Sequence, residues 1–263
     1  MLATRAMASH SWTPAALGGD LYQWFDMQYA AGVTQGDGTV SAVANRGVSG
    51  SGLTPGPSSP QPAYSATGLS GRPCMDFGAS FQTMTQATGS SMPAGAYLFG
   101  LVISPTTSTG SVGRAFALTN GSADGTEPAS FSVWGRSGTG GRARWNGTTM
   151  GPVSMSFGTP SIWAISVTAA GAAEVALNGT VAVTASSILV TAGTTKKLLI
   201  GITNPTSIPN SSENFYGQWG EALSAAGTGA TVANRQRTEG YLAWHWGLQS
   251  LLPAGHPYKS APP

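Results

Sequence analysis

The sequence predicts an all-β fold, a two-sheet antiparallel sandwich carrying one C-terminal α-helix packed on its outside. Three observations point there. The middle of the chain is a series of short apolar runs separated by Gly, Pro, Ser or Thr about every ten residues, the pattern of a sandwich. Several runs alternate strictly, SFSVW at 130–134, VSMSF at 153–157 and WAISV at 163–167, as strands do when one face is in and one is out. A strong helical signature occurs once, between Thr231 and Gly247. All-β sandwiches commonly reach this length of 263 residues as one unit, so residues 20–263 are read as a single domain and residues 1–19 as an N-terminal arm.

Taken in order, the arm is polar and small-residued and ends in an apolar anchor, Trp12 and Leu17. Its first ten residues, MLATRAMASH, offer only Leu2 and Met7 as apolar groups, too few to offset the ordering of the backbone. The arm is therefore expected to lie against another chain through Leu2, Arg5 and Met7. LYQWFDMQY at 21–29 reads as a first strand or a short turn of helix, its period being mixed. Asn45 to Pro62 is rich in Pro and Gly, with almost nothing to bury, and reads as a long loop, either an interaction surface or a flexible link. AYLFGLVI at 96–103 is nearly continuous and so belongs at the centre of a sheet.

The hairpin VALNGTVAV at 175–183 permits a parity argument. Val175, Leu177, Val181 and Val183 are all odd-numbered, and a two-residue turn at 178–179 pairs odd with even positions. A three-residue loop over 177–179, with Gly179 left-handed, pairs Val175 with Val181 on one face instead. The helix follows at 232–246: Thr231 caps it, Gly247 suits the left-handed position that ends it, and Leu242 and Trp246 share a face that must be buried. The tail, 248–263, carries Leu251, Leu252 and Tyr258 among prolines and is expected to pack back on the body.

Composition narrows the function. Only 8% of residues are charged, so the surface is built of hydroxyls, amides and backbone. The net charge is +2 with no basic run, and Arg136, Arg142 and Arg144 read as solvated charge on strand ends, so no nucleic-acid partner is expected. No run of 18 apolar residues occurs and the start lacks an apolar signal-peptide core, so neither membrane insertion nor export is expected. Cys74, the one cysteine, reads as a buried inert thiol.

RQRTEGYLAWHWGL followed by LPAGHPYK resembles the C-terminal signature of concanavalin A-like, or laminin G-like, jelly-roll domains of bacteriophage virion proteins and large bacterial surface proteins. WTPAALGGDLYQWFD at 12–26, QPAYSATGLSGRPCMDF at 61–77 and VALNGTVAV extend the likeness over nearly the whole chain. The resemblance implies a jelly roll in a family whose members bind glycans or serve as structural modules.

Glycosidases on this fold place two acids at alternate positions of one strand. Here Glu174 and Glu221 each stand alone, and Asp26 and Asp76 have no acid at i+2 or i+4. Catalysis would require acids remote in sequence to meet, and no catalytic residue is assigned. His10, His245 and His256 are scattered, and His245 reads as a packed helix residue. Calcium in relatives needs several oxygen ligands; Gly36–Gly38 and Asp124 with Glu127 are the sources here, and Gly78 and Ala79 stand where relatives carry acids, so no metal and no cofactor is expected. Trp134, Arg142, Trp145 and Asn146 lie together as candidates for a glycan site, aromatic faces joined to polar donors, unless both tryptophans are core.

The leading expectation is a non-enzymatic virion structural protein, a decoration or fibre-like module on head or tail that assembles through arm and tail with copies of itself and other virion proteins. It would be made in the host cytoplasm without a signal peptide. The alternative is a lectin-like module that binds cell-surface glycan, and a glycoside hydrolase ranks third.

Overall fold

A computed structural model of the chain describes residues 12–56, 59–78, 82–91, 93–106, 113–119, 131–136, 140–145, 148–188, 195–201 and 214–263. After a 3-10 segment at Pro14–Asp20 come β1 (Leu21–Asp26), β2 (Val33–Gly36), β3 (Thr39–Val43), β4 (Leu53–Pro55), β5 (Ala63–Leu69) and β6 (Arg72–Phe77). Then follow β7 (Met84–Gln86), β8 (Ser90–Ser91), β9 (Tyr97–Pro105), β10 (Gly113–Thr119), β11 (Phe131–Arg136) and β12 (Gly140–Trp145). The last strands are β13 (Thr148–Val153), β14 (Ser161–Val167), β15 (Ala173–Leu177), β16 (Thr180–Ala185), β17 (Thr195–Gly201) and β18 (Gly217–Ala226), before helix α1 (Val232–Trp246). Every strand pairing among the described residues is antiparallel.

Two layers result. One runs β16-β15-β14-β9-β18-β1. The other runs β13-β12-β11-β10-β17-β7 and continues through β4 to β3. Between them lies an aromatic core: Phe99 of β9 meets Phe116 of β10 and Trp145 of β12, and the Trp219 indole of β18 donates to the Ala115 carbonyl of β10. The chain is thus an all-β sandwich, as the alternating runs imply.

As expected of a continuous apolar run, β9 is central, between β14 and β18, and buried along its whole length. Its odd residues face the other layer. Its even residues face α1: a side chain at Gly100 would meet Thr238 and Leu242 of the helix. The same cover corrects the reading of β14. WAISV alternates, yet all seven residues of the strand are buried, because its second face, bearing Ala164 opposite Gly100, lies under the helix rather than in water. Small residues let the helix approach, and their alternation with large ones imitates a solvent face.

Three other expectations change. The strand expected at VSMSF lies earlier, at Thr148–Val153, and Met155 beyond it is only partly buried. The Pro/Gly-rich stretch after Asn45 holds β4, whose Leu53 is fully buried between Val43 and Gln86. In the β15–β16 hairpin the turn has two residues after all, Asn178 and Gly179, both left-handed. The odd residue demanded by parity sits in the strand instead: a bulge after Val175 lets Val175 pair with Val183 and leaves Val181 exposed.

Helix α1 has the expected bounds. Thr231 accepts from the Asn234 N–H at 3.1 Å, Gly247 ends the helix left-handed, and Leu242 and Trp246 are fully buried. The tail closes over the outer side of the helix. Tyr258 lies on Gly240, where any side chain would fall 2.5 Å from its Cβ, and the Tyr258 carbonyl accepts from the Trp244 indole at 2.9 Å. The Lys259 ammonium donates to the carbonyls of Gln249, Ser250 and Leu252, and Trp12 N–H donates to the Pro263 carbonyl at 3.0 Å. The arm residues Leu2, Arg5 and Met7 lie outside the described residues.

Candidate functional site

The chemically richest cluster forms where β1 and β18 run side by side beneath the end of α1. A bulge at Gly220 breaks the pairing of β18 with β9 between Trp219 and Glu221. It turns Trp219 to the interior and Glu221 to the helix side, directly opposite Asp26 of β1. The bulge residue is glycine for room as well, because a Cβ there would lie 2.5 Å from the Trp246 ring. Two acids 195 positions apart in sequence therefore become cross-strand neighbours.

Each is heavily partnered. Glu221, with a fully buried side chain, accepts from the Trp24 indole on Oε1 and the Trp246 indole on Oε2, both at 2.7 Å. Asp26 accepts the Gln28 backbone N–H on Oδ1 at 2.8 Å and Arg46 on Oδ2 at 3.0 Å. His245 Nε2 stands 3.3 Å from the same Oδ2 and 3.9 Å from Glu221 Oε2. Arg46 lies over the Trp24 ring at 3.5 Å and beneath Tyr29, whose centroid is 4.5 Å away and which is 41% exposed. Gln28 ties the rim to the helix end, donating to the His245 carbonyl and accepting from Arg72.

Burial and the neighbouring Asp26 charge push the Glu221 carboxyl up to about 7, against the opposing pull of His245 and the two indoles. His245 sits above its ordinary value although burial pulls it down, because Asp26 and Glu221 favour its charged form. The Tyr241 hydroxyl, buried and beside both acids, is raised well beyond the usual phenol range. Asp26, Glu221 and His245 bring one ligand atom each within 4.8 Å of one another, close enough for a cation. Yet both Glu221 oxygens and both Asp26 oxygens already accept protein donors, and Arg46 supplies positive charge. The set fits an internally satisfied network better than a metal centre.

A second buried network pins the tail. Arg235 pairs with Glu239 one turn on and reaches Glu174 of β15 at 3.3 Å, so one guanidinium serves two acids remote in sequence. His256 Nε2 lies 2.9 Å from Glu239 Oε2, and its Nδ1 accepts from the Tyr258 N–H at 3.2 Å, so Nε2 carries the proton. Cys74 is buried, its thiol pushed up to about 11, in keeping with an inert residue.

The glycan candidates separate. Trp145 is a correction: only 2% exposed, it packs against Tyr97 and Phe99 and offers no face to a ligand. Its strand alternates, and Gly141, Ala143 and Trp145 take the buried side while Arg142 and Arg144 are half-buried on the other. Arg142 stands opposite Trp134 in the β11–β12 ladder, and its buried Nε has no hydrogen-bond partner among the described residues. Asn146 lies outside the described residues, as do Asp124 and Glu127; Asp37 occupies the left-handed turn between β2 and β3.

Sequence reasoning missed the Asp26–Glu221–His245 group, although one signal was present: a lone acid inside the apolar run WGEAL demands a buried partner.

No family model and no curated protein matches the sequence. Solved structures do match in fold. Domain 4 of the GH43 extracellular arabinanase of Geobacillus stearothermophilus, described in complex with arabinotriose, aligns with a TM-score of 0.56 and 15% identity over 84% of this chain and 98% of that one. An arabinofuranosidase complexed with arabinofuranosyl-α-1,2-xylobiose aligns at 0.54 and 11% identity over 76% of this chain and 50% of that one. The binding domain of botulinum neurotoxin serotype D aligns at 0.53 and 10% identity over 81% and 49%. At these identities the likeness is one of fold.

Proposed function

We propose that this chain is a non-enzymatic carbohydrate-binding domain. The observation that carries the reading is the alignment over 98% of an arabinanase domain described in complex with arabinotriose. The state of the acids supports it. Asp26 and Glu221 approach within 4.8 Å, near the roughly 5 Å separation of retaining glycosidases. Their side chains are 2% and 0% exposed, however, and both Glu221 oxygens are held by indoles, so no sugar bond reaches them. Titration calorimetry against a panel of plant and bacterial polysaccharides, paired with a reducing-sugar assay, tests the reading. Saturable binding without hydrolysis is expected; hydrolysis that Glu221→Gln abolishes overturns it.

A phage-particle location is a second proposal, supported by the resemblance of the C-terminal segment. In this chain that segment spends Arg235, Glu239, Trp246 and His256 on its own domain, so assembly would fall to residues 1–11. Deleting them should leave the melting temperature unchanged and abolish incorporation into particles; unchanged incorporation refutes the location.

A further inference from the structure

The rim of the β1–β18 cluster has an excess of hydrogen-bond donors. Every acceptor beneath it is occupied: both Glu221 oxygens by indoles, both Asp26 oxygens by Gln28 N–H, Arg46 and His245. The donors are not exhausted. Arg46 spends Nη1 on Asp26, while its Nη2 and Nε have no partner among the described residues, and its side chain is 29% exposed. His245 spends Nε2 on Asp26, its Nδ1 has no partner among the described residues, and the side chain is 19% exposed. Tyr29, 41% exposed with its ring centroid 4.5 Å from the Arg46 guanidinium, has no hydroxyl partner among the described residues. Arg46 and His245 both reach Asp26, standing 3.0 and 3.3 Å from Oδ2, so the two cationic groups are neighbours at the rim.

Two physical features distinguish this patch from an ordinary solvated edge. The Arg46 guanidinium is held by the Trp24 ring at 3.5 Å, the Tyr29 ring at 4.5 Å and the Asp26 ion pair at 3.0 Å, which restricts the directions of its remaining N–H groups before any ligand arrives. The acceptor shortfall selects the partner: a group that only accepts, and carries negative charge, matches fixed guanidinium and imidazolium donors better than a hydroxyl that must also donate.

We propose that Arg46, His245 and Tyr29 form a subsite for the carboxylate of an acidic sugar residue, which rests on the carbohydrate-binding reading above. The guanidinium edge of Arg46 donates to the carboxylate, His245 supplies a second charged donor, and Tyr29 lends its hydroxyl and ring edge to the sugar. Binding strengthens in acid. The groups facing His245 are Asp26 on β1, Glu221 on β18, Arg72 on β6, Arg46 after β3 and Tyr241 on its own helix. The two carboxylates outweigh the cations there and keep the imidazole charged above its ordinary range, so the charge that attracts the ligand is lost as pH rises past it.

The test is an NMR titration with the methyl glycosides of glucuronate, galacturonate and N-acetylneuraminate, beside methyl glucoside and methyl galactoside, at pH 5.5 and 8.5. At least one acidic glycoside should bind about tenfold or more tightly than the neutral ones at pH 5.5, the worth of one charge-assisted contact. Arg46→Gln should remove that preference. Arg46→Lys, which keeps the charge beside Asp26 and so the fold, should reduce it several-fold through loss of the planar fork. His245→Gln should flatten the pH dependence. Equal affinity for acidic and neutral glycosides, or an acidic preference untouched by both Arg46 variants, overturns the subsite while leaving the carbohydrate-binding reading intact. Absence of binding to these glycosides, with neutral polysaccharides still bound, does the same, and tight binding of an acidic peptide reassigns the site to a protein partner. Failure of every glycan and polysaccharide to bind removes both.

Discussion

Replacing Trp246 by alanine strikes the point where helix, sheet bulge and buried acid meet. The ring is fully buried, rests on Gly220, stands edge-on to His245 with centroids 6.1 Å apart, and donates its N–H to Glu221 at 2.7 Å. Deleting such a ring costs about 3–5 kcal/mol through lost contacts and the cavity left behind. Leaving a buried carboxylate oxygen without its donor adds about 1–3 kcal/mol. The sum, about 4–8 kcal/mol, is a large share of the roughly 5–15 kcal/mol that holds a domain folded. Trp246→Phe helps to separate the parts, since it keeps an aromatic ring while removing the N–H together with the part of the indole that rests on Gly220. Its cost depends on pH. Glu221 titrates at about 7 in the fold against an ordinary 4.5, and the indole hydrogen bond favours its charged form. Removing that bond lifts the carboxyl further, so the phenylalanine variant loses more stability above pH 7 than at pH 5. Urea denaturation at both pH values reads the effect. A loss below about 1 kcal/mol for Trp246→Ala, or a phenylalanine cost that shrinks as pH rises, would refute this account of the helix face and of Glu221.

Other expectations follow from the same packing. Because the folded Glu221 titrates at about 7, above its ordinary value, the stability it contributes is full below its ordinary range and lost as pH rises through about 7, and His245, also raised, adds a loss in the same direction above its own ordinary value. For Glu221 the loss amounts to roughly 3 kcal/mol, and Glu221→Gln should remove most of that slope in melts taken from pH 5 to pH 9. Glu239→Gln breaks a buried group that holds both Arg235 and His256, and should cost about 3–5 kcal/mol while opening the tail to carboxypeptidase; a tail that stays protected counts against the clamp. Gly240→Ala puts a methyl into Tyr258, and about 1–3 kcal/mol of destabilisation with loss of the Trp244–Tyr258 contact should appear in tryptophan fluorescence.

Local pattern was enough for the elements whose environment is encoded in consecutive residues. Helix α1 was legible to the residue, since Thr231 and Gly247 act on the backbone next to them. The continuous run of β9 marked the central strand, and Leu242 and Trp246 marked the buried face of the helix. Parity called for an odd loop length in the β15–β16 hairpin, and the two-residue turn does not have it; the bulge after Val175 that re-registers the valines is decided by the strand pairing and leaves no mark in the local sequence. What lay beyond the sequence depends on which element covers which. WAISV alternates whether its small face meets water or a helix, and Trp145 differs from a ligand platform only in having Tyr97 and Phe99 against it. The rim of Arg46, Tyr29 and His245 has no sequence motif, because its parts come from a loop, a strand end and a helix end. They meet only once β1 pairs with β18, the Gly220 bulge turns Glu221 toward Asp26, and the helix closes over both.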